Sequence, residues 1–477
     1  MSQVADAGLR PEQDRLAELP ERIHCVGVGG GGLAPLACLL AARGHRLSGS
    51  DRVAARPELQ AAGVVVSQGH AEQHLGDAQL VIRSAAVGDD NPEVVAARRL
   101  GLPVLKYSEA LGRLMRGRRG VALAGTHGKT TCTALLAWLL DEAGARPSWI
   151  VGGTPVGARA WGSGASDLLL VEACEYDRSF LNLDYELAVV TGVSPDHLDC
   201  FGDASGVEAA FRDFATRVPP HGQLVLGPDV HRGFATTLGF VRSTPQVCWV
   251  DDALPLAELH EDEAGYHGVL VADGERVAFD LPVMGRHNVD HLRTALVVAR
   301  GLGLGLDFES LLQAAAGFRG VRRRLEDLGL SSVLHGGPPG LGVRVVDDFA
   351  HHPEALHAAA AALRSRFPGR RVVGVFQPHQ VSRTEDFLPD FVAALSDFDR
   401  VALCDIFVAR DTHPERADEL CERLSVQAGD HVARVGPAPR ADGAVADMLR
   451  PGDVCVVMGA GDVEGLAPRL VGEPARS

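Results

Sequence analysis

The amino-acid sequence predicts an α/β protein of three domains, each built on a parallel sheet. Three observations carry that expectation. A length of 477 residues suggests about three domains at ~150 residues each. Short apolar runs alternate with helix-like stretches from Ile23 to Met458. Glycine-rich turns directly follow apolar runs at Gly27 to Gly32 and at Gly125 to Gly128, where nucleotide-binding α/β units place them.

In the first segment, residues 23–28 read as a strand, Gly29-Gly30-Gly31-Gly32 as a turn, residues 33–43 as a helix and residues 45–48 as a second strand. Asp51 lies just beyond that strand. Such glycines let backbone approach a pyrophosphate, and an acid ~20 residues further on can meet a ribose hydroxyl. The same glycines could serve only close strand–helix packing. From this piece alone an NAD site is the obvious expectation. Strands follow at 64–66, 80–82 and 104–105, and the basic stretch 113–119 reads as a linker, with a boundary at 118.

The second segment opens on Gly125-Thr126-His127-Gly128-Lys129-Thr130-Thr131, between the apolar run 121–124 and a helix over 133–140. This is a phosphate cradle. Backbone N–H groups and a helix N-terminus face an anion, Lys129 supplies a point charge and a threonine hydroxyl can hold Mg²⁺. Leu123 stands where the strict pattern has glycine. Among 46 lysines and arginines, Lys106 and Lys129 are the only lysines, so a compact ammonium has been kept inside the loop. A dehydrogenase would not need this second phosphate site.

Strands are expected at 168–171 and 187–190, then a less regular region with short β-like runs over 219–281, then a helix over 289–302. The segment ends near Arg322-Arg323-Arg324. The third segment follows a Gly/Pro-rich loop at 335–342, with strands at 343–346, 372–376, 400–404 and 454–458.

Hydrophobic content of 46% and a charged fraction of 23% are ordinary for a globular protein. A net charge of −16 argues against sequence-independent nucleic-acid binding. Nine scattered cysteines without C-x-x-C pairs suit reduced thiols rather than a disulfide framework or a zinc site. With no signal-like apolar core and no apolar run near ~20 residues, the expectation is a cytoplasmic protein without membrane partners.

Carboxylates end the buried run 168–171, at Glu172 and Glu175. Ligands bind at such strand ends, and a nucleotide's Mg²⁺ needs an oxygen ligand there. Spacing does not choose between the two acids, which could also simply cap the next turn. His197, in Asp196-His197-Leu198-Asp199, follows the strand at 187–190 and offers a second metal position as readily as a structural role. The arginine triplet could be a solvated linker. Asp347-Asp348 with His351-His352, and Phe376-Gln377-Pro378-His379 with Arg383, look like two neighbouring strand ends facing one site.

These motifs together resemble the Mur ligases, from Ile23 to Asp462. The carriers are Gly27 to Gly32, Ser48 to Asp51, Gly125 to Thr131, Glu172 to Phe180, Asp196 to Asp199, Gly285 to Val289, Asp347 to Pro353, Phe376 to Thr384 and Gly459 to Asp462. The resemblance implies a Rossmann-like UDP-sugar-binding domain (1–118), a central ATP-binding domain of P-loop type (119–325) and a C-terminal Rossmann-like acceptor domain (326–477). Gly29, Gly30 and Gly32 would then hold a UDP pyrophosphate rather than NAD, with Asp51 and Ser84 near the nucleoside. Gly125, Thr126, His127, Gly128, Lys129, Thr130 and Thr131 would cradle ATP, with His287 and Asn288 at the adenine and Arg323 and Asp348 on the nucleotide.

In the family a Glu precedes Ser-Phe, so the resemblance selects Glu175, with Thr130 and His197, for Mg²⁺. His352, His379 and Arg383 would serve the acceptor and the acyl phosphate. The implied reaction is ATP-dependent joining of L-alanine to the carboxylate of UDP-N-acetylmuramate, in peptidoglycan precursor synthesis, by a monomer or homodimer. Alternatives are a recycling ligase adding the L-Ala-γ-D-Glu-meso-diaminopimelate tripeptide, which Phe376 to His379 disfavours, and a catalytically silent nucleotide-binding protein. The sequence departs from the family at four points. No lysine after Lys129 is available for carbamylation, Phe349 stands for a tyrosine, Gln380 for an arginine and His291 for an asparagine.

Overall fold

Four sheets organise the chain in a computed structural model that describes residues 19–53, 56–237, 246–331, 342–408 and 413–472. The expected loop at 335–342 falls, but for its last residue, outside the described residues, as do the side chains of residues 198 and 199. Two compact units divide the chain, and each is interrupted in sequence.

The first unit comprises residues 1–153, 159–253 and 294–306. Its first sheet contains β1 (Arg22–Val26), β2 (Arg46–Asp51), β3 (Val65–Gln68), β4 (Leu80–Arg83) and β5 (Val104–Lys106), in the order β3-β2-β1-β4-β5. All its pairings are parallel. The order reverses between β1 and β4, so a crevice opens at their carboxyl ends. Helix Leu33–Ala42 is apolar almost all round and buries eight residues, from Leu33 to Leu40. That is the pattern of a helix enclosed by its own domain rather than lying on a surface.

The second sheet contains β6 (Arg119–Ala124), β7 (Ser148–Ile150), β8 (Trp161–Gly162), β9 (Leu168–Glu172), β10 (Leu187–Gly192), β11 (Gln223–Asp229) and β12 (Gln246–Trp249). Its order is β12-β11-β10-β6-β9-β7-β8, parallel except for the short edge strand β8. β6 is central, flanked by β9 and β10. Both neighbours therefore end beside whatever follows β6.

The basic stretch 113–119 is not a linker throughout. Arg113 belongs to helix Tyr107–Met115, and Arg119 opens β6, donating to Glu186 Oε1 at 2.9 Å and to the Leu302 carbonyl at 2.8 Å. Arginine stems lie along apolar structure while their heads find carboxylates and carbonyls, so a basic run need not interrupt secondary structure.

The second unit comprises residues 154–158, 254–293 and 307–477. An antiparallel meander contains β13 (Leu256–Asp262), β14 (Gly265–Ala272) and β15 (Glu275–Leu281). The other sheet contains β16 (Glu326–Leu330), β17 (Arg344–Asp348), β18 (Val372–Phe376), β19 (Arg400–Cys404), β20 (Val432–Gly436) and β21 (Val454–Met458). Its order is β16-β17-β21-β18-β19-β20, with only the edge pair β16–β17 antiparallel. β17, β18, β19 and β21 are buried over most or all of their length, as expected of strands covered on both faces. No disulfide joins the nine cysteines. Among the described residues no helix is long and apolar enough to cross a membrane.

Candidate active site

The loop after β6 is held from both sides. Gly125 has φ +143°, and Gly128, which starts helix Lys129–Glu142, has φ +79°. A side chain at Gly125 would collide with Thr191, because a Cβ there would lie 1.9 Å from Thr191 Oγ1. That hydroxyl donates to the His127 carbonyl at 2.6 Å. Thr126 N–H donates to the Gly192 carbonyl at 3.0 Å, and Thr126 Oγ1 exchanges hydrogen bonds with the Ser194 backbone at 3.0 and 2.9 Å. The end of β10 thus fixes the loop, leaving the helix N-terminus with its unpaired N–H groups and positive dipole end.

On the other side, β9 delivers two carboxylates with different duties. Glu172 accepts Thr130 Oγ1 at 2.9 Å and Gly152 N–H at 2.7 Å. Glu175, 3% exposed, receives the Lys129 ammonium on Oε1 at 2.9 Å. Lys129 also donates to the Gly125 and Thr126 carbonyls at 2.6 and 3.1 Å. Burial disfavours its charge, but Glu175, helped by the Cys174 and Glu172 side chains, holds its pKa above the ordinary lysine value. Glu175 Oε2 is buried and accepts no hydrogen bond among the described residues.

His197 Nε2 lies 3.9 Å from Glu175 Oε1 and 3.8 Å from Asp196 Oδ2. Its backbone is left-handed at φ +52°, anchored by the bond from its N–H to Asp196 Oδ1 at 2.7 Å. Lys129, Thr130, Glu175 and His197 therefore share one neighbourhood, joined by Glu172, which spacing alone had not distinguished. The second lysine reaches the same turn: Lys106 Nζ pairs with Asp177 Oδ2 at 2.7 Å. Asp177 and Arg178 are both left-handed, at φ +53° and +51°.

In the first sheet, the glycine turn leaves β1 and meets the ends of β2 and β4. Gly27 N–H and Val28 N–H donate to the Ser50 carbonyl at 2.8 and 3.1 Å, and Gly29 N–H donates to Asp51 Oδ2 at 2.8 Å. A Cβ on Gly29 would lie 3.0 Å from that carboxylate oxygen, and one on Gly27 would lie 3.1 Å from the Ser84 side chain. Gly32 faces Tyr107 and Gly30 faces Ser84. Gly29, Gly30, Gly32, Asp51 and Ser84 are thus gathered at the switch point of this sheet.

The second unit holds the remaining residues, with Asp348 and His352 at and just after the end of β17 and His379 and Arg383 after β18. β17 and β18 are not neighbours, as their Asp, His and Arg motifs had suggested, since β21 lies between them. Strand order follows from crossovers, which local pattern does not encode. The inserted end links the two: Gly459 N–H donates to the Asp348 carbonyl at 3.3 Å, and Gln377 Nε2 donates to Asp462 Oδ1 at 2.6 Å. Ring contacts also cross the gap. His351 lies 5.1 Å from Phe349 and 5.9 Å from His379, which stacks on Phe407 at 5.6 Å.

Asp348 accepts Leu325 N–H at 2.6 Å and Ala350 N–H at 2.7 Å. Burial raises its pKa, opposed by Arg324, those N–H groups and Arg323. Asp347 is pushed up to about 7 by burial, opposed by Arg323, with Glu326 and Asp348 adding to the rise. Arg323 Nε stands 3.6 Å from Asp347 Oδ1, an ion pair too long for a hydrogen bond. Arg323 also bonds Glu464 at 3.0 Å and the Gly459 carbonyl at 2.6 Å. Arg323 and Arg324 both lie over the Phe349 ring, at 5.2 and 4.6 Å.

His352 and Arg383 are buried, His352 against Phe387 with ring centroids 4.8 Å apart. At the start of helix His287–Gly301, Asn288 donates to the Met284 carbonyl at 2.6 Å, while its buried Oδ1 accepts no hydrogen bond among the described residues. His291 lies 5.7 Å from His287, and burial, with His287 adding, lowers its pKa to about 3.

Three family models match in order: the Mur ligase family catalytic domain at residues 22–119, the Mur ligase middle domain at 123–299 and the Mur ligase glutamate ligase domain at 336–461. The chain belongs to the Mur ligase family. Among the relatives of this Mur ligase is the UDP-N-acetylmuramate–L-alanine ligase of Verminephrobacter eiseniae, 38% identical over 465 residues that cover 94% of this chain and 95% of the relative. The protein of that name from Salinibacter ruber is 36% identical over 487 residues, covering 96% and 95%. The crystal structure of the UDP-N-acetylmuramate–alanine ligase of Thermotoga maritima shares the fold, with a TM-score of 0.76 at 24% identity, covering 94% of this chain and 98% of that one. This Mur ligase therefore has the three-domain α/β architecture of its family.

Proposed function

We propose that this Mur ligase joins L-alanine to UDP-N-acetylmuramate with ATP, and that residues 1–118, 119–325 and 326–477 are its sugar-nucleotide, ATP and acceptor domains. The observation that carries the reading is the half-buried Lys129 ammonium, paired with the buried Glu175 in a glycine loop at a helix N-terminus. Relatives bearing the alanine-ligase name along nearly their whole length supply the substrate pair. The glycine turn with Asp51 and Ser84 then takes the UDP portion. The loop from Gly125 to Thr131 takes the ATP phosphates.

In the reaction the muramyl carboxylate oxygen attacks the γ-phosphorus of ATP, and the bond to the β-phosphate oxygen breaks to release ADP. The amine of L-alanine then attacks the acyl carbon, loses a proton and expels inorganic phosphate. Lys129 contributes charge where it accumulates, and the loop N–H groups hold the phosphates in line. To reach them, Lys129 exchanges loop carbonyls for phosphate oxygens. The residues fit Mg²⁺: Glu175 has a buried, unpartnered oxygen, and Glu172 and the Thr130 hydroxyl add hard oxygen donors. Thr130, Glu175 and His197 would hold the ion, and Mg²⁺ when bound would neutralise phosphate charge.

His287, Asn288, Arg323, Asp348, His352, His379 and Arg383 take the roles that family likeness assigns. Asn288 Oδ1 is a buried acceptor suited to an exocyclic amine. Phosphate release with UDP-N-acetylmuramate, ATP and Mg²⁺, scanned over amino acids and the tripeptide, tests the reading. Alanine-dependent release is expected. Release only with tripeptide would make this the recycling ligase, and no release with any acceptor would leave a silent nucleotide-binding protein.

A further inference from the structure

The first unit contains a buried polar cluster that this reaction does not use. Glu93 is fully buried in the first turn of helix Pro92–Arg99, where Asn91 caps Glu93 N–H at 3.0 Å and Val94 N–H at 3.4 Å. Its carboxylate collects groups from several elements. Oε1 accepts Ala71 N–H at 3.1 Å and bonds His74 Nδ1 at 2.9 Å. Oε2 accepts the Ser50 hydroxyl and lies 3.4 Å from His24 Nε2. A second ring of bonds joins His70 Nδ1 to Ser50 Oγ and His24 Nδ1 to Ser48 Oγ, each at 2.9 Å.

Burial opposes the carboxylate's charge, but His24, Ser50 and the Ala71 N–H hold its pKa down at about 2. The helix N-terminus adds to the same balance. A well-packed apolar side chain would serve stability at least as well as such a buried charge. What the carboxylate adds is direction, and that direction leads to the glycine turn. The residue it grips through its hydroxyl, Ser50, gives its carbonyl to Gly27 and Val28 N–H, and the next residue, Asp51, gives its carboxylate to Gly29 N–H. Glu93 therefore acts through Ser50, whose own carbonyl and whose neighbour Asp51 make the contacts that shape the turn from β2.

We infer that Glu93 is a positioning residue for the sugar-nucleotide subsite, setting the end of β2 and through it the Gly27 to Gly32 turn that receives the pyrophosphate. The inference rests on reading that turn as the UDP-sugar site. Its chemistry is indirect: Glu93 touches no substrate, and its effect passes through Ser50 and Asp51. It should therefore alter affinity for one substrate and leave the other untouched.

The test is steady-state kinetics of Glu93→Gln and Ser50→Ala, varying UDP-N-acetylmuramate and ATP separately, with calorimetric titration of UDP-N-acetylmuramate into wild type and Asp51→Ala. Losing a charge-assisted bond predicts about a tenfold rise in KM for the sugar nucleotide in Glu93→Gln, and about threefold in Ser50→Ala. KM for ATP and kcat should stay within about twofold. A purely structural role would lower the melting temperature with no selective rise, and that result overturns the inference. If Glu93→Gln does not fold, Ser50→Ala decides in the same way. If Asp51→Ala binds UDP-N-acetylmuramate as tightly as wild type, the reading of the turn as the UDP site fails, whatever Glu93 does.

Discussion

One added methyl group at Gly125 would test how the phosphate loop is held. The Cβ of Gly125→Ala would lie 1.9 Å from Thr191 Oγ1, so that hydroxyl must leave its bond to the His127 carbonyl. Losing a buried hydrogen bond costs about 1–3 kcal/mol. A non-glycine residue at φ +143° adds about 1–3 kcal/mol of backbone strain. The single variant should therefore lose about 4 kcal/mol, and Thr191→Ala alone about 1–2 kcal/mol.

In the double variant the hydroxyl is gone, and the nearest Thr191 atom to the new methyl is Cβ at 3.1 Å. The hydrogen bond is then lost once instead of twice and the collision is relieved. The double variant should be less damaged than the sum of the singles by about 1–3 kcal/mol. Denaturant unfolding of all four proteins, with KM for ATP alongside, measures the coupling. Additivity within about 0.5 kcal/mol would refute the claim that Thr191 braces the loop.

Three other outcomes follow from the site. Lys129→Ala should lower kcat by at least about 10³-fold while UDP-N-acetylmuramate still binds, since its charge acts on the transferring phosphoryl group; turnover near wild type would end the phosphate-loop assignment. Glu175→Gln should raise the Mg²⁺ concentration needed for half-maximal rate several-fold, whereas Glu172→Gln should act chiefly by releasing Thr130 and Gly152; equal Mg²⁺ curves for Glu175→Gln and wild type would remove Glu175 from the metal site. Asp347 titrates near 7 in the folded chain and near ~3.9 unfolded. Between those values the folded chain binds the extra proton, so this contribution to stability declines as pH rises and is gone above about 7. Asp347→Asn should flatten that part of the profile, and denaturation midpoints that differ from wild type by a constant amount between pH 5 and 8 would contradict it.

Features carried by local pattern were readable in the sequence. The phosphate loop needs only its glycines, Lys129 and the flanking apolar run, and strand ends such as Glu172 and Asp348 follow from strand length. The hairpin joining β14 to β15 is also written locally: Asp273-Gly274, both at positive φ, +52° and +83°, form the two-residue turn that Asp-Gly favours. Other features exist only after folding. β21 slips between β17 and β18 although it is the last strand in the chain. The Glu93 cluster draws on His24, Ser50, His70 and His74, each some 20 to 70 residues away and each unremarkable alone. Thr191 likewise gains its role only because β10 lies beside β6.

The two lysines converge on a single turn, one on Glu175 and the other on Asp177. A lysine-specific endoprotease therefore has only two cleavage positions in this chain, and both lie against that turn. An amine-acylating reagent faces the same restriction among the side chains. Cleavage after Lys129 requires the loop to open and the ammonium to leave its carboxylate. The rate of that cut, read against the cut after Lys106, is then a built-in clock for loop opening, available without adding a probe to the protein.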